Sequence, residues 1–170
     1  MKIYSYRARV SIMLAAMLCA SSVAAVELPA SKLGLWETTS ITSLHPGPAM
    51  RTQICFGAGT EREFWAKGQD GLKNYSCKSP GMQRSGDSYV YENACTIGGH
   101  IMTWRSVMTY QGDESIHSVT TTDSGDGGPR HTNTSDMRWL GACKPGQKPG
   151  DSEVMNRDAL MRSAINAGHD

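Results

Sequence analysis

Four cysteines carry the strongest chemical signal in this 170-residue chain: Cys55, Cys77, Cys95 and Cys143. Thiols can bind a metal, run redox exchange or close disulfides. Structural zinc sites draw ligands in pairs two to four residues apart, and dithiol catalysts use Cys-x-x-Cys. The gaps here are 22, 18 and 48 residues, and no Cys-x-x-Cys occurs. That spacing points to two disulfides in an exported protein. Four cysteines allow three pairings, which sequence alone does not separate. A hairpin turning at Ser85-Gly86-Asp87 would bring the ends of its segment together. It favours Cys77–Cys95, with Cys55–Cys143 as the long-range link.

Other chemistry has weaker footing. Asp123-Ser124-Gly125-Asp126-Gly127-Gly128-Pro129 superficially resembles the nucleophile loop of chymotrypsin-like proteases, but Asp126 stands where the serine belongs. The run is expected to be a Gly-rich hairpin loop. The same aspartates with Asp136 lack the alternate-position carboxylates and closing Glu of an EF-hand. A hairpin turning at Gly112-Asp113 sets His117 opposite Met108 and leaves no two histidines adjacent. No metal, cofactor or catalytic residue is therefore assigned. Trp104, Tyr110 and Trp139 are expected to fill the core. The alternative is that they line a cavity for a small apolar ligand, which curved antiparallel sheets can hold. Trp36 and Glu37 read as packing and pairing residues.

Strands must position these groups. Leu33–Leu44 is rich in Thr and β-branched residues and reads as a strand, stopped at His45-Pro46-Gly47-Pro48. Arg51–Phe56 is a second. Thr60-x-x-Glu63 has the form of a capping box opening a short helix. Tyr75–Lys78 and Ser88–Ile97 follow, and Gly98-Gly99 reverses the chain. Ile101–Tyr110 puts Met102, Trp104, Ser106, Met108 and Tyr110 on one face, the alternation of a half-buried antiparallel strand. Glu114–Asp123 returns, and Arg130–Leu140 is last. The pattern predicts a mainly β fold: an antiparallel meander curving into a partial barrel or sandwich. Residues 26–143 would form this disulfide-bonded domain. Residues 144–170 read as a Pro/Gly linker and a weakly helical tail capped at Asp151 or Ser152.

Residues 1–25 read as a secretory signal. Lys2, Arg7 and Arg9 precede the apolar Val10–Ala20, and Val23-Ala24-Ala25 offers a small-residue cleavage site. The apolar run falls short of the roughly 18 residues that cross a bilayer. Cleavage would also remove Cys19. It takes three cations and no acids from a chain of net +1, leaving 145 residues at −2. No integral membrane segment remains. No Lys/Arg cluster is left to make a nucleic-acid footprint.

Gly34-Leu35-Trp36-Glu37 near the start, Thr52-Gln53-Ile54-Cys55, a central cysteine pair and a closing Arg138-Trp139-Leu140-Gly141-Ala142-Cys143 resemble a family of exported proteobacterial proteins whose domain has no known function. The resemblance spans about residues 33 to 143 and implies export, disulfides and a β-rich domain. It implies no activity. The expectation is a periplasmic protein with a non-enzymatic binding or envelope-associated role, its partner an envelope protein or a small apolar ligand. A hydrolase with a scattered site is the remaining alternative.

Overall fold

The computed structural model describes residues 26–44 and 47–167. The expected signal with Cys19, the stop at His45-Pro46 and the last three residues of the expected tail lie outside them. The described residues form strands β1 (Gly34–Thr42) and β2 (Met50–Phe56), helix α1 (Thr60–Asp70), then β3 (Ser76–Lys78) and β4 (Met82–Ser85). The long strands β5 (Ser88–Ile97), β6 (His100–Gln111), β7 (Ser115–Asp123) and β8 (His131–Gly141) follow, then β9 (Ser152–Val154) and α2 (Arg157–Ala167). The strands make one antiparallel sheet in the order β3-β5-β6-β7-β8-β1-β2-β9, and β4 pairs with β5. The fold is mainly antiparallel β, and the sheet is open rather than closed into a barrel. No helix among the described residues is long and apolar enough to cross a membrane.

Chain reversals set the register. Gly98 and Gly99 both have positive φ (59° and 87°), so Ile97 faces His100 across a two-residue turn. Three residues separate Gln111 from its partner Ser115. His117 therefore faces Thr109 instead of Met108. The extra residue shifts the register by one and turns His117 to the opposite sheet face, where its Nδ1 lies 2.7 Å from Asp136 Oδ1.

The two faces differ in kind. On the inner face Trp36, Ile54, Phe56, Tyr89, Met108, Ile116 and Met137 form the buried core. Val26, Leu28 and Trp65 pack against it, so the N-terminal segment and α1 cover that end of the sheet. Further along the same face many residues are hydroxylic, with Ser40 hydrogen-bonded to Ser135 and Ser106 to Thr120, beside Trp104 and Asn93. The charged residues of β1, β2 and β5–β8 are Glu37, Arg51, Glu92, Arg105, Asp123, Asp136 and Arg138. The pairing places all of them on the outer face. Ions stay hydrated or paired there, whereas a sheltered inner position would cost several kcal/mol of desolvation each.

Helix α1 starts differently from the expected capping box. The Thr60 hydroxyl accepts the Gly57 N–H and donates to the Gly57 carbonyl, while the Glu63 N–H reaches Gly59. Glu61 and Glu63 in the first turn and Lys67 in the last complement the helix dipole. Glu61 also accepts the Ser31 hydroxyl at 2.6 Å, tying the N-terminal segment to the helix. At the other end, the tail begins with a strand before its helix. β9 pairs with β2 through Thr52, Gln53 and Ile54. Cys55 donates to Asp151 and accepts from Gly150, and α2 opens only at Arg157.

Candidate functional site

The Gly34–Glu37 and Arg138–Cys143 motifs lie about a hundred residues apart and meet on adjacent strands. Trp36 faces Trp139 and Glu37 faces Arg138, with a bulge between Leu35 and Trp36. Gly34 has φ +133°, and a Cβ there would lie 2.1 Å from the Gly141 carbonyl oxygen. Only glycine fits both the conformation and the contact. Trp36 is fully buried and donates to the Lys32 carbonyl. Glu37, 3% exposed, accepts from Arg51 (2.7 Å), Gln53 (3.1 Å) and Arg138 (3.0 Å). Burial pushes its carboxyl up, but the bonds from Gln53, Arg51 and Arg138 outweigh burial and hold it below the usual carboxylate value. Glu37 is thus a structural ion bridging three strands. Its carboxylate accepts three hydrogen bonds, two of them from arginines.

The disulfides pair Cys77 with Cys95 and Cys55 with Cys143, the two links favoured by the hairpin. Cys77 and Cys95 sit directly opposite on β3 and β5. Their link fixes the next pair along, Lys78 and Ala94, which belong to a cavity of about 750 Å³. This is an ordinary size for a small-molecule site.

Two loops wall the cavity. On one side, Ser79 Oγ donates to the Glu92 carbonyl and accepts the Gly81 N–H, folding Ser79 and Pro80 over β5. On the other, the loop after Asp123 is tied down. A Cβ on Gly125 would lie 2.0 Å from the Ile101 carbonyl oxygen, so glycine allows the loop to press on β6. Asp123 accepts the Gly125 N–H at 3.0 Å and Arg130 Nη2 at 3.2 Å. Those two bonds, the Gly125 amide first, hold its carboxyl below the usual value. Ala94, Thr103 and Thr121 form the floor, and Glu92 and Arg105, paired at 3.0 Å, stand at the rim. The lining thus carries Lys78, Arg105 and Arg130 against Glu92 and Asp123.

The aromatic residues expected either in the core or along a cavity do not converge. Trp104 lines this cavity, though the pairing turns its ring to the inner face beside Asn93 and Thr122. Tyr110 is six residues away on the same strand, about 20 Å at the usual rise. It stacks edge-on against Tyr89, with ring centroids 5.5 Å apart. Burial, then the nearby Glu61, push its phenol well up. Trp139 donates to the Leu33 carbonyl, with Lys32 Nζ 3.9 Å over its ring. Among the described residues no group of three His, Cys, Asp or Glu side chains is placed to hold a metal.

Ser124 Oγ donates at 2.5 Å to Asp126. Bonds from Ser124 and the Gly128 amide keep that carboxyl below the usual value. It is a weak base toward a hydroxyl, and among the described residues no histidine is hydrogen-bonded to Ser124 in place of it.

No curated protein and no solved structure matches the chain. A family model does match, over residues 31–143. That span runs from the segment tied to α1, through both disulfides and the cavity, to the second cysteine of the long link. The chain belongs to the family described as Protein of unknown function (DUF3617).

Proposed function

We propose that this protein is exported to the periplasm, loses residues 1–25 and acts there as a non-enzymatic binding domain. The outer-face cavity between the β3–β4 and β7–β8 loops would be its ligand site. The observation that carries the reading is the way this cavity is built. A disulfide and a glycine contact fix its two walls, and five charged side chains line it. No nucleophile in it is paired with a base. Two disulfides suit an oxidising compartment, and the apolar run within residues 10–20 suits an export signal.

An apolar ligand on the inner face finds less support. The apolar half of that face is occupied by Trp36, Phe56 and the helix, and the open half mixes hydroxyls with Trp104 and Met102. An envelope protein as partner would contact the same outer face, where the charges are.

Native mass spectrometry of protein purified from its own host tests the binding role. The expected result is a co-purifying mass that is lost from an Ala94→Trp variant. Periplasmic extraction with N-terminal sequencing is expected to return a chain starting at Val26. A cytoplasmic, full-length, reduced chain would refute export, and repeated empty spectra at high purity would refute ligand carriage.

A further inference from the structure

We infer that the outer-face cavity takes a small anion with one carboxylate or phosphate head, held between Lys78, Arg105 and Arg130. This rests on the binding role proposed above and specifies its ligand. Each arginine in the lining is committed through one nitrogen only: Arg105 Nε to Glu92, and Arg130 Nη2 to Asp123. A guanidinium carries five N–H donors, so each keeps donors for a further oxygen. The two carboxylates hold the guanidiniums in position and neutralise two of the three cations. Lys78 makes no ion pair among the described residues, and it lies directly opposite the small Ala94 on the neighbouring strand. The lining therefore has one cation in excess, opposite a small side chain.

Other ligands fit less well. A cation would add to that excess positive charge, and both acids are already engaged by arginine. A metal finds no cluster of ligands there. A purely apolar molecule would strip water from five ions with nothing to replace it. An oxyanion satisfies the excess charge and the spare N–H groups together, and planar or tetrahedral oxygen arrays match the arginine fork.

The walls favour a ligand that enters an existing shape. The Cys77–Cys95 link and the Ser79 bonds fix the Lys78 side, and the Gly125 contact fixes the Arg130 side. Little ordering is then required on binding.

The test is calorimetric titration of the oxidised protein at low ionic strength with two matched pairs of probes. These are benzoate against benzyl alcohol, and glycerol 3-phosphate against glycerol. In at least one pair the anion should bind at least tenfold more tightly than its neutral partner. Which pair responds separates a carboxylate head from a phosphate. Lys78→Met and Arg130→Gln should each weaken that binding at least threefold. Both positions are exposed, and unchanged thermal melting with no free thiol confirms that the fold is kept. Raising salt to about 0.5 M should weaken binding further, because exposed charges are screened. Neutral probes binding as well as the anions would overturn the anion assignment, as would anion binding indifferent to both substitutions. In either case an Ala94→Trp variant that still abolishes binding leaves the binding role standing. If no probe binds and protein from the native host carries no additional mass, both readings fail.

Discussion

Replacing Glu37 with Gln keeps the side-chain volume and removes one charge from the junction of β1, β2 and β8. The wild-type carboxylate accepts three bonds, two of them from arginines. Hydrogen bonds to charged groups are each worth about 1.5–3 kcal/mol. Arg51 and Arg138 are 49% and 68% exposed, so water compensates them when the charge is lost. The lower end of the range applies, and the Gln oxygen retains one acceptor. Glu37→Gln should therefore destabilise by about 2 kcal/mol at pH 7, or lower the melting temperature by roughly 4–8 °C. Urea unfolding followed by tryptophan fluorescence reads this directly. The pH dependence supplies a second readout. A carboxyl held below its ordinary value of 4.5 in the folded state binds its proton more readily in the unfolded chain. Its contribution is complete above the unfolded value and is lost as pH falls through the lower folded one. The gap between wild type and variant should thus be full at pH 6–7 and shrink as pH falls below about 4.5. A gap under about 0.5 kcal/mol at pH 7, the scale of ordinary surface changes, would refute the bridging role. So would a gap that acidification leaves unchanged.

Peptide mapping without reduction should recover Cys55–Cys143 and Cys77–Cys95. By chain entropy the pair of serines replacing Cys55 and Cys143, which close 88 residues, should cost about 4.6 kcal/mol. The pair replacing Cys77 and Cys95, closing 18, should cost about 3.2 kcal/mol, and denaturant titration gives the order. Gly34→Ala should destabilise by more than about 2 kcal/mol, since it meets both strain and a backbone clash. Gly141→Ala should cost less, because its φ of +127° is strained but a Cβ there meets nothing within 4 Å. Truncation after Lys148 removes the partners of Cys55 and Arg51. Hydrogen exchange at those two amides should then accelerate, and unchanged protection would show that β9 contributes nothing to the β2 edge.

The long strands were legible because a sheet with one sheltered face imposes alternation over nine or more residues. β6 shows this plainly, with Met108 buried and Arg105 exposed on opposite faces. Strands of three or four residues hold too few positions for a period; β3 was read from its place around Cys77, but β4 and β9 escaped. β9 also falls just after the Pro/Gly linker, where the residues read as the first turn of the tail helix. Its pairing depends on β2 presenting an open edge, which no local pattern encodes. The register at Gly112 slipped for a related reason. Two- and three-residue turns draw on the same residue types, and cross-strand packing selects between them.

Both cavity walls had sequence signatures without a sequence meaning. The Gly-rich run after Asp123 was visible as a loop, but not as a wall pressed on Ile101. Lys78, Arg105 and Arg130 looked like scattered surface charges. They come from three separate segments, and only the pairing of β3, β5, β6 and β7 gathers them around one cavity. Glu37 reads as a pairing residue, but its partners did not show in the sequence, because Arg138 lies 101 residues away. A lone acid next to Trp36 in a Thr-rich strand was the available clue.

Composition, cysteine spacing and alternation determined what is local or statistical: the β class, the thiols' covalent role, the turns and the apolar N-terminal run. Tertiary structure decided which residues meet. Antiparallel pairing joins positions remote in the chain, and a one-residue change in a turn reassigns every side chain to the other face. That is why the strands could be read from the residues, while the charged cavity required the sheet.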